Sequence, residues 1–218
     1  MDFVKVDSHS VLRSPRQARS RQSELRLLEA TLALVEEGGL AACSIPDVAK
    51  RAGVAVGTIY RRFRDKNDLL ERSFLHRLES VSTSASVPQY KDLQTAARSI
   101  VRAFLTNFES YEIFYSALID YTRDTPNQRF REAAAAARLK TISHLSKSLI
   151  DAAAKDSEEI TPKRATFALV ALTTALSALL RDPIGRMLQW SDGEEREKAL
   201  TDLFLGALVG KPEHDIHV

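Results

Sequence analysis

The chain has 218 residues, 44% of them hydrophobic and 28% charged, which is enough apolar material for one or two packed domains and too much for a disordered chain. Eight Gly and seven Pro are few for this length, and with abundant Ala and Leu they favour an all-α fold over loop-rich or all-β ones. The net charge of +2 is uneven: residues 1–84 hold fourteen Lys and Arg against eleven Asp and Glu, residues 85–218 seventeen against eighteen.

Residues 1–20 have no sustained apolar period and include Arg13, Arg16 and Arg19; with Arg21 these form a basic run without an acid. They are expected to be a flexible arm, either solvated or touching phosphate or a minor groove. From residue 23 the period becomes helical through Leu25, Leu28, Leu32 and Val35, and Gly38-Gly39 stops it, so helix one spans residues 23–37. Ser44 is an N-cap, Pro46 and Asp47 suit the first turn, and Ile45, Val48, Ala49 and Ala52 form one apolar stripe that ends before Gly53. A third short helix is expected over residues 56–63 and a fourth from residue 65 or 66 to about 80.

The Ser-rich stretch 82–88 ends in Pro88 and is the expected break between domains. Beyond it the apolar spacing stays helical. Leu93, Ala97, Ile100, Phe104 and Phe108 lead, then Tyr111, Phe114, Tyr115 and Leu118, then a long helix over residues 130–156. Thr161-Pro162 opens the longest uncharged run, residues 165–180, and Asp182-Pro183 ends it. Those sixteen residues fall short of the roughly 20 that a membrane span needs, so a helix buried between protein surfaces is expected and no membrane partner. A last helix covers residues 192–209, and residues 211–218 read as a tail.

Two short helices joined by a Gly-containing three-residue turn are a helix-turn-helix, whose second helix enters a major groove of double-stranded DNA. Val54, Ile59 and Phe63 have the spacing to face the domain core, which leaves Val56, Thr58, Tyr60, Arg61 and Arg62 on other faces. Gly57 near the helix start costs about 1 kcal/mol of helix propensity relative to Ala, a cost offset where backbone must approach DNA closely.

The stretch SIPDVAKRAGVAVGTIYRRFRDKNDLL, residues 44–70, resembles the DNA-binding segment of the TetR (tetracycline-repressor-like) bacterial regulators. Its cap, A-x-x-A-G-V turn, G-T-I-Y and F-x-x-K-x-x-L-L pieces lie in register, and the resemblance covers about 45 residues once helix one is included. It implies a helix-turn-helix domain over residues 21–84 and an effector-binding and dimerisation domain over 85–210. It also implies a dimeric repressor that a small molecule releases from DNA. Ser44 resembles the residue that caps helix two and touches phosphate, Tyr60 the aromatic whose hydroxyl reaches the DNA backbone, and Lys66 a phosphate-contacting lysine. Ala55 and Val56 depart from the commoner serine and Lys, Arg or Pro, with thymine-methyl contact as the substitute. Arg61 replaces a frequent histidine, and with Thr58 it is expected on bases or adjacent phosphates.

No Gly-rich phosphate loop, H-E-x-x-H, G-x-S-x-G or C-x-x-C occurs, so no catalytic residue, metal or cofactor is expected. The lone Cys43 excludes an internal disulfide, and no basic segment with an apolar run and cleavage site opens the chain; a reducing cytoplasm is expected. The expected effector pocket is aromatic: Phe104, Phe108, Tyr111, Phe114, Tyr115, Tyr121, Phe167, Met187 and Trp190, with His144 and Thr174 as polar groups. No Arg or Lys cluster falls among them, which suits a flat or mostly apolar molecule. Homodimerisation is expected through the last two long helices, with Ala168, Ala171, Ala175 and Ala178 permitting close approach and Leu200, Leu203, Phe204, Ala207 and Leu208 supplying apolar surface. A two-fold dimer implies a near-palindromic operator. The alternatives are an all-helical enzyme or carrier that binds an apolar small molecule without DNA, and a scaffold that binds only protein.

Overall fold

The computed structural model describes residues 15–84, 89–181 and 192–210, and every regular element among them is a helix. Helix α1, Pro15–Ala42, begins eight residues ahead of the expected start, so the last six residues assigned to the arm are helical. Proline suits a first helical position, and the following stretch of Arg, Gln and Ala holds no Gly or further Pro. Gly38 (φ −154, ψ 21) and Gly39 (φ +67, ψ −163) break the helical path where the sequence places the stop, and one further turn follows.

Helix α2, Ile45–Ala52, starts at the Ser44 cap and ends at Gly53, whose φ of 65 and ψ of 39 are left-handed. Helix α3, Val56–Tyr60, is three residues shorter than expected. Its last turn tightens because the amides of both Arg62 and Phe63 donate to the Ile59 carbonyl at 2.9 Å. Helix α4 is Lys66–Ser84, α5 Leu93–Ser110, α6 Glu112–Asp124, α7 Gln128–Lys155, α8 Pro162–Arg181 and α9 Gly193–Val209. Asp92, Asn127 and Asp192 cap α5, α7 and α9 by accepting from the amides of Thr95, Phe130 and Glu195. Residues 1–14, 85–88, 182–191 and 211–218 lie outside the described residues, and with them most of the expected arm, Pro88, the Asp182-Pro183 stop, Met187, Trp190 and the tail.

Two cores form. The first gathers Leu27, Val48, Ile59, Phe63, Leu69 and Phe74 from α1 to α4 and continues into Phe114, Ala117 and Leu118 of α6 and Phe130 and Ala134 of α7. The second gathers Ile100, Val101, Leu149, Leu169, Leu172 and Phe204 from α5, α7, α8 and α9. The division expected near residue 84 follows the chain, whereas the packing crosses it: α6 lies on α1, and α7 on α4. No described helix is long and apolar enough to cross a membrane.

The outer faces of α8 and α9 differ from expectation in detail. Ala168, Leu200, Phe204 and Leu208 are buried within the protomer's own second core, so they have no surface to offer a partner. The outward stripe on α8 is Phe167, Val170, Thr174 and Ala178, and on α9 it is Ala199, Leu203 and Gly206. Phe167 is 66% exposed and Leu203 58%.

Candidate nucleic-acid interface

The α2–turn–α3 unit is fixed from beneath. The Ser44 Oγ accepts from the Asp47 amide at 3.2 Å and donates to the Asp47 carboxylate. Gly53 closes α2 by donating its amide to the Lys50 carbonyl at 3.2 Å, and the Val54 amide reaches Ala49 at 3.0 Å. Ile59 and Phe63 are buried and Val54 is half-buried against the same core, as their spacing requires. Ala55, Val56, Gly57, Tyr60 and Arg61 are left exposed together, Tyr60 at 58%. Thr58 is half-buried, and its hydroxyl accepts from the Arg61 guanidinium at 3.2 Å. No atom lies within 4 Å of the position a Cβ on Gly57 would take.

The cations around this face are not equally free. Lys66 is half-buried and donates to the Leu40 carbonyl at 3.4 Å, tying the start of α4 to the end of α1. It sits near Cys43, whose thiol is pushed up by burial and drawn back by the Lys66 charge. Arg62 donates to the Ser20 hydroxyl at 3.0 Å. Arg72 packs over the Phe63 ring at 4.6 Å, pairs with Glu24 and donates to the Arg62 carbonyl at 3.2 Å. These contacts lock the end of α3 to both α1 and α4.

Two polar junctions on α4 join this unit to the rest of the protein. Glu71 is buried and accepts from the Tyr121 hydroxyl at 3.1 Å and from the Asn127 amide group at 2.7 Å. Burial and the Glu71 charge push the Tyr121 phenol up to about 12. Arg77 lies over the Tyr111 ring at 3.9 Å and meets Glu36 of α1 at 3.4 Å. Neither junction was read from the sequence. A signal existed for Glu71, a carboxylate in helical register with the apolar Phe74 and Leu78.

The expected pocket residues scatter. Phe108 stacks on Tyr115 with centroids 4.4 Å apart, Phe114 meets Phe74 edge-on at 5.7 Å, and Tyr121 contacts Phe74 at 5.6 Å and Phe130 at 5.5 Å. Tyr111 lies under Arg77 beside this cluster, and Phe104 packs on the second core. Rings in such contact fill the space between α4, α5, α6 and α7 with one another. His144 is half-buried and its Nδ1 has no hydrogen-bond partner among the described residues. Phe167 and Thr174 are exposed on α8, a helix that contributes no residue to the core around the aromatic cluster.

Comparison with known proteins points to a family. Residues 27–72, which run from the middle of α1 to the first turns of α4, match the model described as bacterial regulatory proteins, tetR family. Over those residues the chain is similar to that family's DNA-binding segment. The HTH-type transcriptional regulator BetI of Yersinia pestis (strain Pestoides F) is 36% identical over 97 residues, 43% of this chain and 48% of BetI. The chain thus spans about half the length of the BetI regulators it matches. The HTH-type transcriptional repressor KstR of Rhodococcus jostii (strain RHA1) is 29% identical over 197 residues, 88% of this chain and 87% of KstR. In the solved structures, a TetR transcriptional regulator from Rhodococcus sp. RHA1 superposes with a TM-score of 0.57 at 24% identity, over 85% of this chain and 96% of that one. That likeness is one of fold and extends beyond the segment that the family model matches.

Proposed function

We propose that this TetR-family protein is a DNA-binding transcription regulator, not an enzyme, that acts in the cytoplasm as a homodimer. In this reading it represses from a near-palindromic operator and is released by a small, mostly apolar effector. The observation that carries the DNA-binding reading is the sorting of α3: Ile59 is buried while Val56, Gly57, Tyr60 and Arg61 share an exposed face. A helix held on one side and bare on the other can be laid into a major groove as a rigid body. Val56 and Thr58 then offer methyl groups to thymine, Arg61 reaches bases or neighbouring phosphates, and the Ser44 and Tyr60 hydroxyls with Lys66 meet the backbone. Lys66 would share its ammonium between Leu40 and a phosphate.

The dimer reading is supported by the outward apolar stripes of α8 and α9, where Ala178, Ala199 and Gly206 permit a partner helix to come close to Leu203 and Phe167. For the effector, Phe104, Phe108, Tyr115 and His144 are the residues this reading retains as contacts, with the unpartnered His144 Nδ1 as the polar anchor. A ligand that displaces Tyr115 would disturb the ring stack that continues through Phe114 to Phe74 on α4. Effector binding could then lower operator affinity only by as much as it prefers the conformer that fits DNA poorly.

Selection of duplexes from a random pool by the intact protein, under excess nonspecific DNA, tests the reading. A near-palindrome should emerge, and changes at Val56, Thr58 or Arg61 should shift preference among sites. Failure to enrich any sequence would sink it and favour a helical carrier.

A further inference from the structure

The sequence places no cluster of cations among the aromatic residues expected to meet an effector, but the fold brings a cation to them from outside. Arg77 comes in from α4 and lies over the Tyr111 ring at 3.9 Å and the Phe114 ring at 5.8 Å. Phe114 meets Tyr115 edge-on at 5.2 Å, and Tyr115 stacks on Phe108 at 4.4 Å. Arg77 thus ends a chain of rings drawn from α5, α6 and the joint between them. A second charge bears on the same place: burial pushes the Tyr115 phenol up, while the charges of Arg77 and, more weakly, of Arg138 on α7 draw it back. Arg138 is exposed and makes no ion pair among the described residues. The acid that faces Arg77 is poorly engaged. Glu36 Oε1 comes to 3.4 Å from Arg77 Nη2, yet both atoms are buried and neither has a hydrogen-bond partner among the described residues. Arg51, by contrast, holds Glu37 through two hydrogen bonds at 2.7 and 2.8 Å. A donor and an acceptor buried side by side without a bond cost free energy that a better-placed oxygen would recover. The Glu36 side chain is 31% exposed, so its carboxylate has water to turn to.

We infer that the effector is an apolar acid, whose carboxylate takes the place of Glu36 on the Arg77 guanidinium while its apolar body enters the ring chain at Tyr115. This inference rests on the effector reading above and names the chemical class of the molecule. Glu36 itself shows the kind of anion that suits the place, a planar carboxylate of single charge, which a guanidinium fork receives through parallel hydrogen bonds. The apolar body supplies the buried area, and the one charged group fixes its direction. The exchange also has a structural consequence. Glu36 belongs to α1 and Arg77 to α4, so an acid that captures Arg77 unties the two helices that flank the α2–turn–α3 unit.

The test titrates the full chain by calorimetry at neutral pH with 4-phenylbutyrate, naphthalene-2-carboxylate and octanoate, each against its own primary amide. At least one acid should bind about tenfold or more tighter than its amide, the preference expected of a hydrogen bond between charged groups. E36Q should tighten that acid further and leave the amide unchanged. E36Q/R77M, which leaves no unpaired charge behind, should stay folded by circular dichroism and bind acid and amide alike. The inference is overturned if no acid binds, if every amide binds as well as its acid, if E36Q binds the acid no tighter than wild type does, or if the preference survives in E36Q/R77M. Fluorescence anisotropy on a duplex that the protein has itself selected separates the two failures. If amides release DNA as well as acids do, the effector reading stands and the role given to Arg77 is lost. If an acid binds through Arg77 and operator affinity stays constant, the acid site stands and release by an effector fails.

Discussion

Replacing Gly57 by Ala should stabilise the free protein and weaken its hold on DNA, opposite signs from one methyl group. Gly57 is the second residue of α3, is exposed, and has no atom within 4 Å of its would-be Cβ. No internal clash therefore offsets the helix-propensity gain. That gain is about 1 kcal/mol in a helix interior and nearer 0.5 in the first turn of so short a helix. The unfolding temperature should rise by about 1–2 °C in a chain of this size. On DNA the same methyl enters space that the groove must occupy, and overpacking by one such group costs about 1–3 kcal/mol, which is roughly a fivefold to hundredfold loss of affinity. Circular dichroism melts and fluorescence anisotropy on a selected duplex at fixed salt read the two effects separately. A raised melting temperature with unchanged affinity would refute the close approach at Gly57. A lowered one would refute the claim that its backbone is unstrained helix.

At Gly53 the left-handed backbone makes Ala cost about 1 kcal/mol and Asn less, because no neighbour crowds the new Cβ; equal losses in urea unfolding would count against a backbone origin. Tyr121→Phe removes a hydrogen bond to the buried Glu71 carboxylate and should cost about 1–2 kcal/mol. Because the Tyr121 phenol is raised to about 12, its contribution is complete below the ordinary tyrosine range near pH 10 and fades as pH rises toward 12. The variant's stability should accordingly fall less steeply there. Glu197, gripped by Arg98 at 2.7 Å and Arg102 at 2.8 Å, is lowered to about 2. Its contribution is present above the ordinary carboxylate range and is lost as pH drops through the acid range toward 2, so Glu197→Gln should flatten the acid limb of a stability–pH profile. Joint Phe167→Glu and Leu203→Glu substitution should yield a folded monomer at micromolar concentration in light scattering, with weakened operator binding, since both side chains are exposed in the protomer; a persisting dimer would place the interface elsewhere.

Short-range chemistry made the helix-turn-helix legible from the sequence. A hydroxyl cap at Ser44, the stripe Ile45, Val48, Ala49 and Ala52, a left-handed Gly53, and Ile59 with Phe63 on the inner face each depend on residues within a few positions of one another. The same local signals located the glycine stop of α1 and, to within a few residues, the bounds of α7 and α9. What they could not settle was which side of an apolar helix meets which neighbour. Helix α8 is apolar nearly all round, so its sequence cannot tell that Ala168 faces the protomer's own core while Phe167 faces out. An aromatic run on α6 fits a packed core and a cavity wall equally well, and only the arrival of Phe74 from α4 and Phe130 from α7 shows which rings Phe114 and Tyr121 meet. The charges at Glu71 and Arg72 found their roles only when Tyr121, Asn127 and Glu24 came to them across about fifty positions of chain. Periodicity reports how a segment is patterned, but burial and polar pairing belong to pairs of segments, and only the assembled helices bring those pairs into contact.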